Sequence, residues 1–319
     1  MVRKLAGMSD RPDLHLLDDD EPIAYLQRVR RYYEALGYGA PYEWARFDAV
    51  PFALLRKPLR ACTVALVTTA APYNVDAGDQ GPGAPYNAAA KFYAVYSVAS
   101  GMDSSSDPDL RIAHLAIDRE HTCADDPATW LPIAALRDTA AAGRIGALGP
   151  RIHGLPTNRS QRTTLEVDAP ELLARCRADA VDAAILVANC PVCHQSTSLA
   201  ARTLEAAGIA TVVMGCALDI VERVGVPRFV FSDFPLGNAA GRPHDPASQA
   251  ATLALALDLL ESAGGPRTTV RSPLRWSDDA AWKLAYCNID RLSPAEIERR
   301  RAEFDAGKTV AQRLREALR

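Results

Sequence analysis

The feature that most constrains the fold of this chain is a series of short, continuous apolar segments that alternate with helical segments. The runs Cys62–Thr69, Val181–Asn189 and Ile209–Met214 consist almost wholly of aliphatic and β-branched residues. Such runs are typical of strands buried on both faces of a parallel sheet. Helical spacing occurs between and after them, as in Pro246–Ser262. We therefore expect an α/β fold of the Rossmann or flavodoxin-like kind, with helices on both faces of the sheet.

The chain of 319 residues is long enough for one large domain or two small ones. The segment 146–162 is rich in glycine and proline and has no periodicity. We interpret it as a crossover between two α/β halves, and the pattern allows these halves to be similar. The predicted parts are an N-terminal helical extension (1–58), a first α/β half (59–150), a second α/β half that carries a cysteine pair (151–270) and a C-terminal helical tail (271–319).

Charge and hydropathy argue against several classes of partner. The net charge of -3 provides no basic surface of the kind that nucleic acid requires. No apolar run reaches the roughly 18 residues of a membrane span, and the N-terminus lacks the apolar core of a signal peptide. We therefore expect a cytoplasmic protein without nucleic-acid or membrane partners. The sequence leaves the oligomeric state open, and a homo-oligomer is compatible with it.

Two of the seven cysteines, Cys190 and Cys193, lie close together in the motif Cys-Pro-Val-Cys-His. Cys190 follows a predicted buried strand, and Cys193 opens the next predicted helix, of which Gln195–Ala207 is the body. Ligands of doubly wound folds bind at the carboxyl ends of strands, and a helix N-terminus lowers the pKa of a thiol. The spacing allows the two sulfurs to form a disulfide. The pattern predicts a redox dithiol, with Cys190 as the nucleophile and Cys193 as the resolving thiol.

Other interpretations of this pair remain open. The cysteines could be structural, or they could bind a metal or a thiophilic ligand together with a histidine, with Cys190, Cys193 and His121 as the fallback set. They could also serve a non-redox lyase in which Cys193 is dispensable. The motif has the form of a haem-attachment site, but that modification normally requires export. No glycine-rich nucleotide-binding motif is present, so the sequence supports no particular cofactor.

Three further residues are predicted to contact a small-molecule substrate. Gly237 and Asn238 follow a predicted strand, where Gly237 would let the backbone approach a ligand and Asn238 could donate a hydrogen bond. Asp76 lies on the loop after the first predicted strand and could bind a cationic group. A plain turn and a solvated loop are the simpler interpretations of these residues.

Three histidines are candidates for proton transfer or ligand binding. His194 lies beside Cys193 and could lower the pKa of its thiol or shuttle a proton. His114, at the end of the predicted strand Leu110–Ile117, and His121 could each act as a base, a metal ligand or a substrate contact. The simpler alternatives are a solvent-facing His194 and purely structural roles for the other two.

The cysteine motif resembles the selenoprotein B family of glycine, sarcosine, betaine and D-proline reductases. Many members of the family have selenocysteine-Pro-Val-Cys-His-Gln-Thr where this chain has Cys-Pro-Val-Cys-His-Gln-Ser at 190–196. The resemblance covers residues 60–310 and is closest to the stand-alone members that resemble D-proline reductase. Its further segments are Asp109–His114, Leu204–Thr211, Val224–Phe229, Phe234–Asn238 and Leu292–Phe304.

The resemblance implies that Cys190 takes the selenocysteine position and Cys193 that of its partner. The family reaction is a reductive cleavage in which the selenolate attacks an activated carbon, an amine leaves and the pair is oxidised. Sulfur is the weaker nucleophile, and nothing in this chain replaces the pyruvoyl-bearing partner subunit of the anaerobic reductases, so the substrate itself is not implied. We expect a reductase that acts on a small polarised substrate and is restored by an external dithiol or a thioredoxin-like partner protein.

Overall fold

A computed structural model of the chain describes residues 21–37, 42–80, 91–101, 105, 107–112, 114 and 116–317. The strands are β1 (Thr63–Thr68), β2 (Ala71–Pro72), β3 (Tyr96–Ala99), β4 (Leu110–Arg111), β5 (Ala147–Leu148), β6 (Arg151–Gly154), β7 (Ala183–Val187), β8 (Ala210–Gly215), β9 (Arg228–Phe231) and β10 (Thr268–Arg271). The α-helices are α1 (Tyr25–Ala35), α2 (Ile133–Ala141), α3 (Gln161–Thr163), α4 (Ala169–Ala178), α5 (Pro191–Ala206), α6 (Leu218–Val224), α7 (Pro246–Ser262) and α8 (Pro294–Ala317). Within these ranges no helix is both long enough and apolar enough to cross a membrane.

The central sheet confirms the predicted α/β fold. Its strand order is β10-β9-β8-β7-β1-β6-β3, and β5 also pairs with β1. All neighbouring pairs are parallel except β3 with β6, which is antiparallel. Strand β1 lies between β6 and β7, with Val67 opposite His153 of β6 on one side and Leu186 of β7 on the other. A separate pair, β2 with β4, is antiparallel.

Both faces of the sheet are covered, as the continuous apolar runs predicted. Alternate residues of β1 point to opposite sides, so that Val64 and Leu66 belong to one core cluster and Ala65 and Val67 to the other. Helices α2 and α7 contribute apolar side chains to the first cluster, and α4 contributes them to the second. The backbone N–H and C=O groups at the ends of these buried strands need hydrogen-bond partners. Polar side chains in the loops that follow the strands can supply them.

The direction of the connections reverses between β1 and β7. After β1 the chain builds β5 and β6 on one side of it, then returns to β7 on the other side and continues outward through β8, β9 and β10. Such a switch point leaves a crevice outside the carboxyl ends of the two strands, and this is where open α/β sheets bind ligands. In this chain the crevice is bordered by the residues that follow Thr68 and Val187.

Several predicted elements differ from those observed. Only Leu110–Arg111 of the predicted strand Leu110–Ile117 is a strand, since its pairing with β2 ends there; residues 113 and 115 lie outside the described residues. The segment 146–162, interpreted from the sequence as a crossover without periodicity, contains β5 and β6, which are too short to show a period and exist because β1 offers them hydrogen bonds. Strands from both predicted halves join one sheet, while the boundaries of the four predicted parts stay predictions.

A buried ion pair joins α5 to the strands β8 and β9. The Arg228 Nη1 atom lies 2.8 Å from Glu205 Oε1, and both side chains are fully buried. The Glu205 carboxylate also accepts hydrogen bonds from the backbone and the hydroxyl of Thr211 and from the backbone of Ala53, while Arg228 donates to the Ala53 carbonyl at 2.8 Å. The charges are therefore compensated by several hydrogen bonds, which a buried ion pair requires.

We predict that Arg228→Met lowers the free energy of unfolding by about 3–5 kcal/mol, because it leaves the Glu205 carboxylate buried without its cation. Urea unfolding measures the loss. The matched control is Arg30→Met, which breaks an exposed pair with Glu34 on α1 and should cost less than about 1 kcal/mol. Equal losses for the two variants would contradict the importance of the buried pair.

Candidate active site

Cys190 caps the N-terminus of α5. Its backbone is extended, with φ -133° and ψ 168°, and its Sγ accepts a hydrogen bond from the Cys193 N–H group at 3.2 Å. Pro191 occupies the first position of the helix, where its fixed φ suits the helix and its missing N–H costs nothing. The helix therefore begins earlier than Gln195, where its body was predicted. The result is a sulfur atom held at the positive end of a helix dipole.

The sulfurs of Cys190 and Cys193 are joined in a disulfide, with 4.9 Å between the two Cα atoms. Cys190 is 5% exposed and Cys193 is fully buried, so the first sulfur is the more accessible one. This exposure is smaller than a position at an open crevice would give, because Cys190 packs within the apolar core cluster. The other cysteines of the described chain are free thiols, of which Cys123 is exposed.

The structure brings His114 next to the cysteine pair. One ring nitrogen of His114 and the two sulfurs all lie within 4.8 Å of one another. The backbone of Thr69 hydrogen-bonds the ring, whereas Nδ1 is buried and has no partner among the described residues. Burial lowers the pKa of His114 to about 4, and the positive charges of Lys91 and Arg119 add to this shift. The imidazole is therefore neutral, and one of its two nitrogens lies near the sulfurs.

His194 connects the ends of β7 and β8. Its Nδ1–H group donates to the Cys190 carbonyl at 2.7 Å, and its Nε2 accepts from the N–H groups of Cys216 at 2.8 Å and Ala217 at 3.1 Å. Burial lowers its pKa to about 4, opposed by the bond to Cys190. A Cβ atom at Gly215 would lie 2.6 Å from the ring, so a glycine makes room for it. Both ring nitrogens are engaged with the backbone, which leaves neither free to shuttle a proton.

Two residues of the crevice were not among the predicted site residues. Thr69 follows β1 and Asn189 follows β7, and the Asn189 amide donates to the Thr69 hydroxyl at 3.0 Å. Both side chains are buried, and Asn189 Oδ1 has no partner among the described residues. The signal available in the sequence was their position, since each is the polar last residue of an apolar run that predicts a buried strand.

Gly237 and Asn238 support a loop beside the site. The Asn238 side chain is buried, and its amide donates to the Thr122 hydroxyl at 2.7 Å and to the Pro235 carbonyl at 3.1 Å. Gly237 has φ +112°, and a Cβ atom there would lie 2.9 Å from the Thr122 methyl group. Their role in substrate binding stays a prediction; the observed contacts hold the loop after β9 against the segment that contains Thr122.

Asp76 and His121 lie outside the group formed by His114 and the cysteines. Asp76 is exposed in a single 3-10 turn (Val75–Ala77), and its N–H group donates to Asn74 Oδ1. His121 Nδ1 lies 3.1 Å from the Asp118 carboxylate. Among the described residues, the histidine that lies close enough to share a metal ion with the two cysteines is His114. From the sequence, His121 was the histidine proposed for this set.

A cavity of about 370 Å³ lies at the same edge of the sheet, beside the ends of β9 and β10. Asp233 borders it and pairs with Lys283 at 2.6 Å and with Arg271 at 2.9 Å. Trp276 and Trp282 also line it. A polar and aromatic cavity therefore lies two strands away from Cys190, which corresponds to about 10 Å at the usual strand spacing.

Comparison with known proteins gave two matches. Residues 33–189 match the family described as glycine/sarcosine/betaine reductase selenoprotein B, and Cys190 is the next residue after this match. The chain is 31% identical to D-proline reductase subunit gamma of Acetoanaerobium sticklandii over 196 residues, which is 61% of this chain and 76% of that protein. No solved structure matches the chain.

We predict that lowering the pH from about 6.5 to 4 destabilises the protein through His194. The pKa of His194 is 6.5 in its ordinary state and about 4 in the fold, so in this range the unfolded chain binds a proton that the folded chain does not. A shift of this size corresponds to at most about 3 kcal/mol.

The measurement is urea unfolding of the wild type and of His194→Gln between pH 4 and 7. The variant should be less stable at pH 7 and should lose less stability as the pH falls; a slope remains because burial also lowers the pKa values of His114 and His153 to about 4. His244→Gln alters an exposed histidine and serves as the control. An unchanged slope in His194→Gln would contradict the prediction.

Proposed function

Because this chain belongs to the glycine/sarcosine/betaine reductase selenoprotein B family, we propose that it is a thiol-dependent reductase in which Cys190 is the nucleophile and Cys193 the resolving thiol. The observation that carries the proposal is the disulfide-forming pair on the first turn of α5, at the switch point of the sheet. The substrate class is a small molecule with a polarised bond between carbon and a leaving group.

In the first step the Cys190 thiolate attacks the activated carbon of the substrate. A carbon–sulfur bond forms, the bond to the leaving group breaks, and the leaving group departs with its electron pair and takes up a proton. The Cys193 N–H group and the α5 dipole favour the thiolate at Cys190. The lower exposure of Cys193 supports the assignment of the two roles.

In the second step the Cys193 thiolate attacks the Cys190 sulfur. The sulfur–sulfur bond forms, the carbon–sulfur bond breaks, and the released carbon takes a proton. The sum is that the substrate gains two electrons and two protons, one on the carbon and one on the leaving group, while the dithiol becomes a disulfide. An external dithiol or a thioredoxin-like protein reduces the pair again by exchange.

Two histidines have different parts in this proposal. His114 lies beside the two sulfurs, and its Nδ1 has no partner among the described residues, so we assign to this ring the transfer of a proton from Cys190 to the leaving group. His194 acts as a positioning residue, since its bond to the Cys190 carbonyl fixes the start of α5 relative to the end of β8.

The proposal includes protein partners. One relative is named as a subunit of D-proline reductase, which suggests that this chain also works with other subunits. A cytoplasmic location, as expected from the sequence, would supply the external dithiol. Glycine, sarcosine, betaine and D-proline, the compounds in the names of the relatives, are the first substrates to test, without the assumption that any of them is the natural one.

We predict that Cys190 is the first thiol to react in the reduced protein. Limiting iodoacetamide followed by peptide mass mapping should place the adduct on Cys190. The variant Cys193→Ser should accumulate a mixed disulfide at Cys190 when an oxidised external thiol is added, because no resolving thiol remains. Cys190→Ser should lose both signals.

All variants carry Cys123→Ser, which removes an exposed thiol that has no role in the proposal. Reduced protein is also incubated with each substrate, alone and with a cell extract that supplies missing subunits, and its thiols are counted. Two thiols should be lost for each substrate reduced. Turnover with an unchanged thiol count refutes the redox role, and an adduct found first on Cys193 reverses the order of the two cysteines.

A further inference from the structure

We propose that the reduced cysteine pair and His114 form a site for a soft divalent cation such as Zn²⁺, with Cys190 Sγ, Cys193 Sγ and His114 Nδ1 as ligands. The three side chains offer ligand atoms that lie within 4.8 Å of one another. They come from two separate parts of the fold: the N-terminal turn of α5, which holds both cysteines, and the segment after β4, which holds His114. The site therefore exists only in the folded chain.

The distances suit a tetrahedral ion after the disulfide is reduced. With zinc–sulfur bonds of about 2.3 Å and a zinc–nitrogen bond of about 2.0 Å, neighbouring ligand atoms are about 3.5–3.8 Å apart. Reduction lets the two sulfurs separate to that distance, and His114 must approach them by about 1 Å, which is within the range of a side-chain adjustment.

His114 carries a second, independent sign of a ligand site. Its Nδ1 atom is buried and lacks a partner among the described residues, and a buried polar atom without a partner is unfavourable. The Thr69 backbone accepts a hydrogen bond from the ring and so leaves the lone pair on Nδ1. A histidine that binds a metal commonly donates its other N–H group to a backbone carbonyl in this way.

The ligand set selects the class of ion. Two thiolates and an imidazole favour Zn²⁺ and Cd²⁺ over Mg²⁺ or Ca²⁺, which prefer oxygen ligands. Binding displaces the protons of the two thiols, so up to two protons are released for each ion bound. Three protein ligands leave the fourth position open for water or a small molecule.

The redox state of the pair controls this site. In the disulfide neither sulfur is a thiolate, so the oxidised protein cannot bind the ion through Cys190 and Cys193. A bound ion in turn occupies both sulfurs and prevents their oxidation. The site shares its cysteines with the proposed reductase, but it requires only that the pair can be reduced.

The test is a titration of the full chain, carrying Cys123→Ser, with Cd²⁺ as the probe under anaerobic conditions. The reduced protein should bind one Cd²⁺ with the ultraviolet charge-transfer absorption of thiolate ligands, and the oxidised protein should not. X-ray absorption of the zinc-loaded protein should give two sulfur ligands and at least one imidazole nitrogen. Absence of charge-transfer absorption in the reduced protein, or a first shell of oxygen alone, overturns the proposal.

Variants then identify the histidine. His114→Ala should weaken binding at least about tenfold, since even the loss of an outer-shell partner of a metal ligand costs about 10–100-fold. His121→Ala changes the histidine that lies outside the group and should keep the wild-type affinity. The opposite pattern, or equal affinities for both variants, removes His114 from the site. Failure of metal binding leaves the thiol counts of the reductase test unchanged, so the two proposals fail separately.

Discussion

A parallel sheet covered on both faces can offer chemistry only at the ends of its strands, and this constraint determines where the cysteine pair and its polar neighbours lie. Strands β1, β7 and β8 are fully or almost fully buried, so their faces are occupied by core packing. Strands β1 and β7 are neighbours, but the strands that follow β1 along the chain lie on one side of this pair and those that follow β7 lie on the other. Thr69, Asn189 and Cys190 follow these two strands directly, which explains why a polar and reactive cluster occurs inside an otherwise apolar core.

The position of Cys190 depends on a local and a tertiary feature together. Locally, Pro191 starts the helix and the Cys193 N–H group points at the Cys190 sulfur. In the tertiary structure, the neutral ring of His194 holds the Cys190 carbonyl on one side and the backbone after β8 on the other. The ring fits there because Gly215 has no side chain. A change in the protonation of this buried ring would affect both strand ends at once.

The two proposals assign to the same two sulfurs two kinds of chemistry that exclude each other. In one, the dithiol transfers two electrons and closes to a disulfide; in the other, the two thiolates hold a soft cation together with His114. A selenocysteine side chain at position 190 would have a lower pKa than the cysteine thiol and would be the stronger nucleophile. With sulfur, the hydrogen bond from Cys193 and the helix dipole are the features of this fold that favour the reactive thiolate.

The sequence by itself determined the α/β class, the buried strands β1, β7 and β8, the helix Pro246–Ser262 and the placement of the cysteine pair between a buried strand and a helix, because these follow from continuous apolar runs, helical spacing and a short local motif. It did not reveal β5 and β6, whose few residues become strands only through hydrogen bonds to β1. Nor could it distinguish His114 from His121, since either could reach the pair from a distant part of the chain. Only the tertiary structure decided that His114 lies beside the sulfurs, and that both ring nitrogens of His194 are bound to the backbone, because these contacts join residues that no local pattern connects.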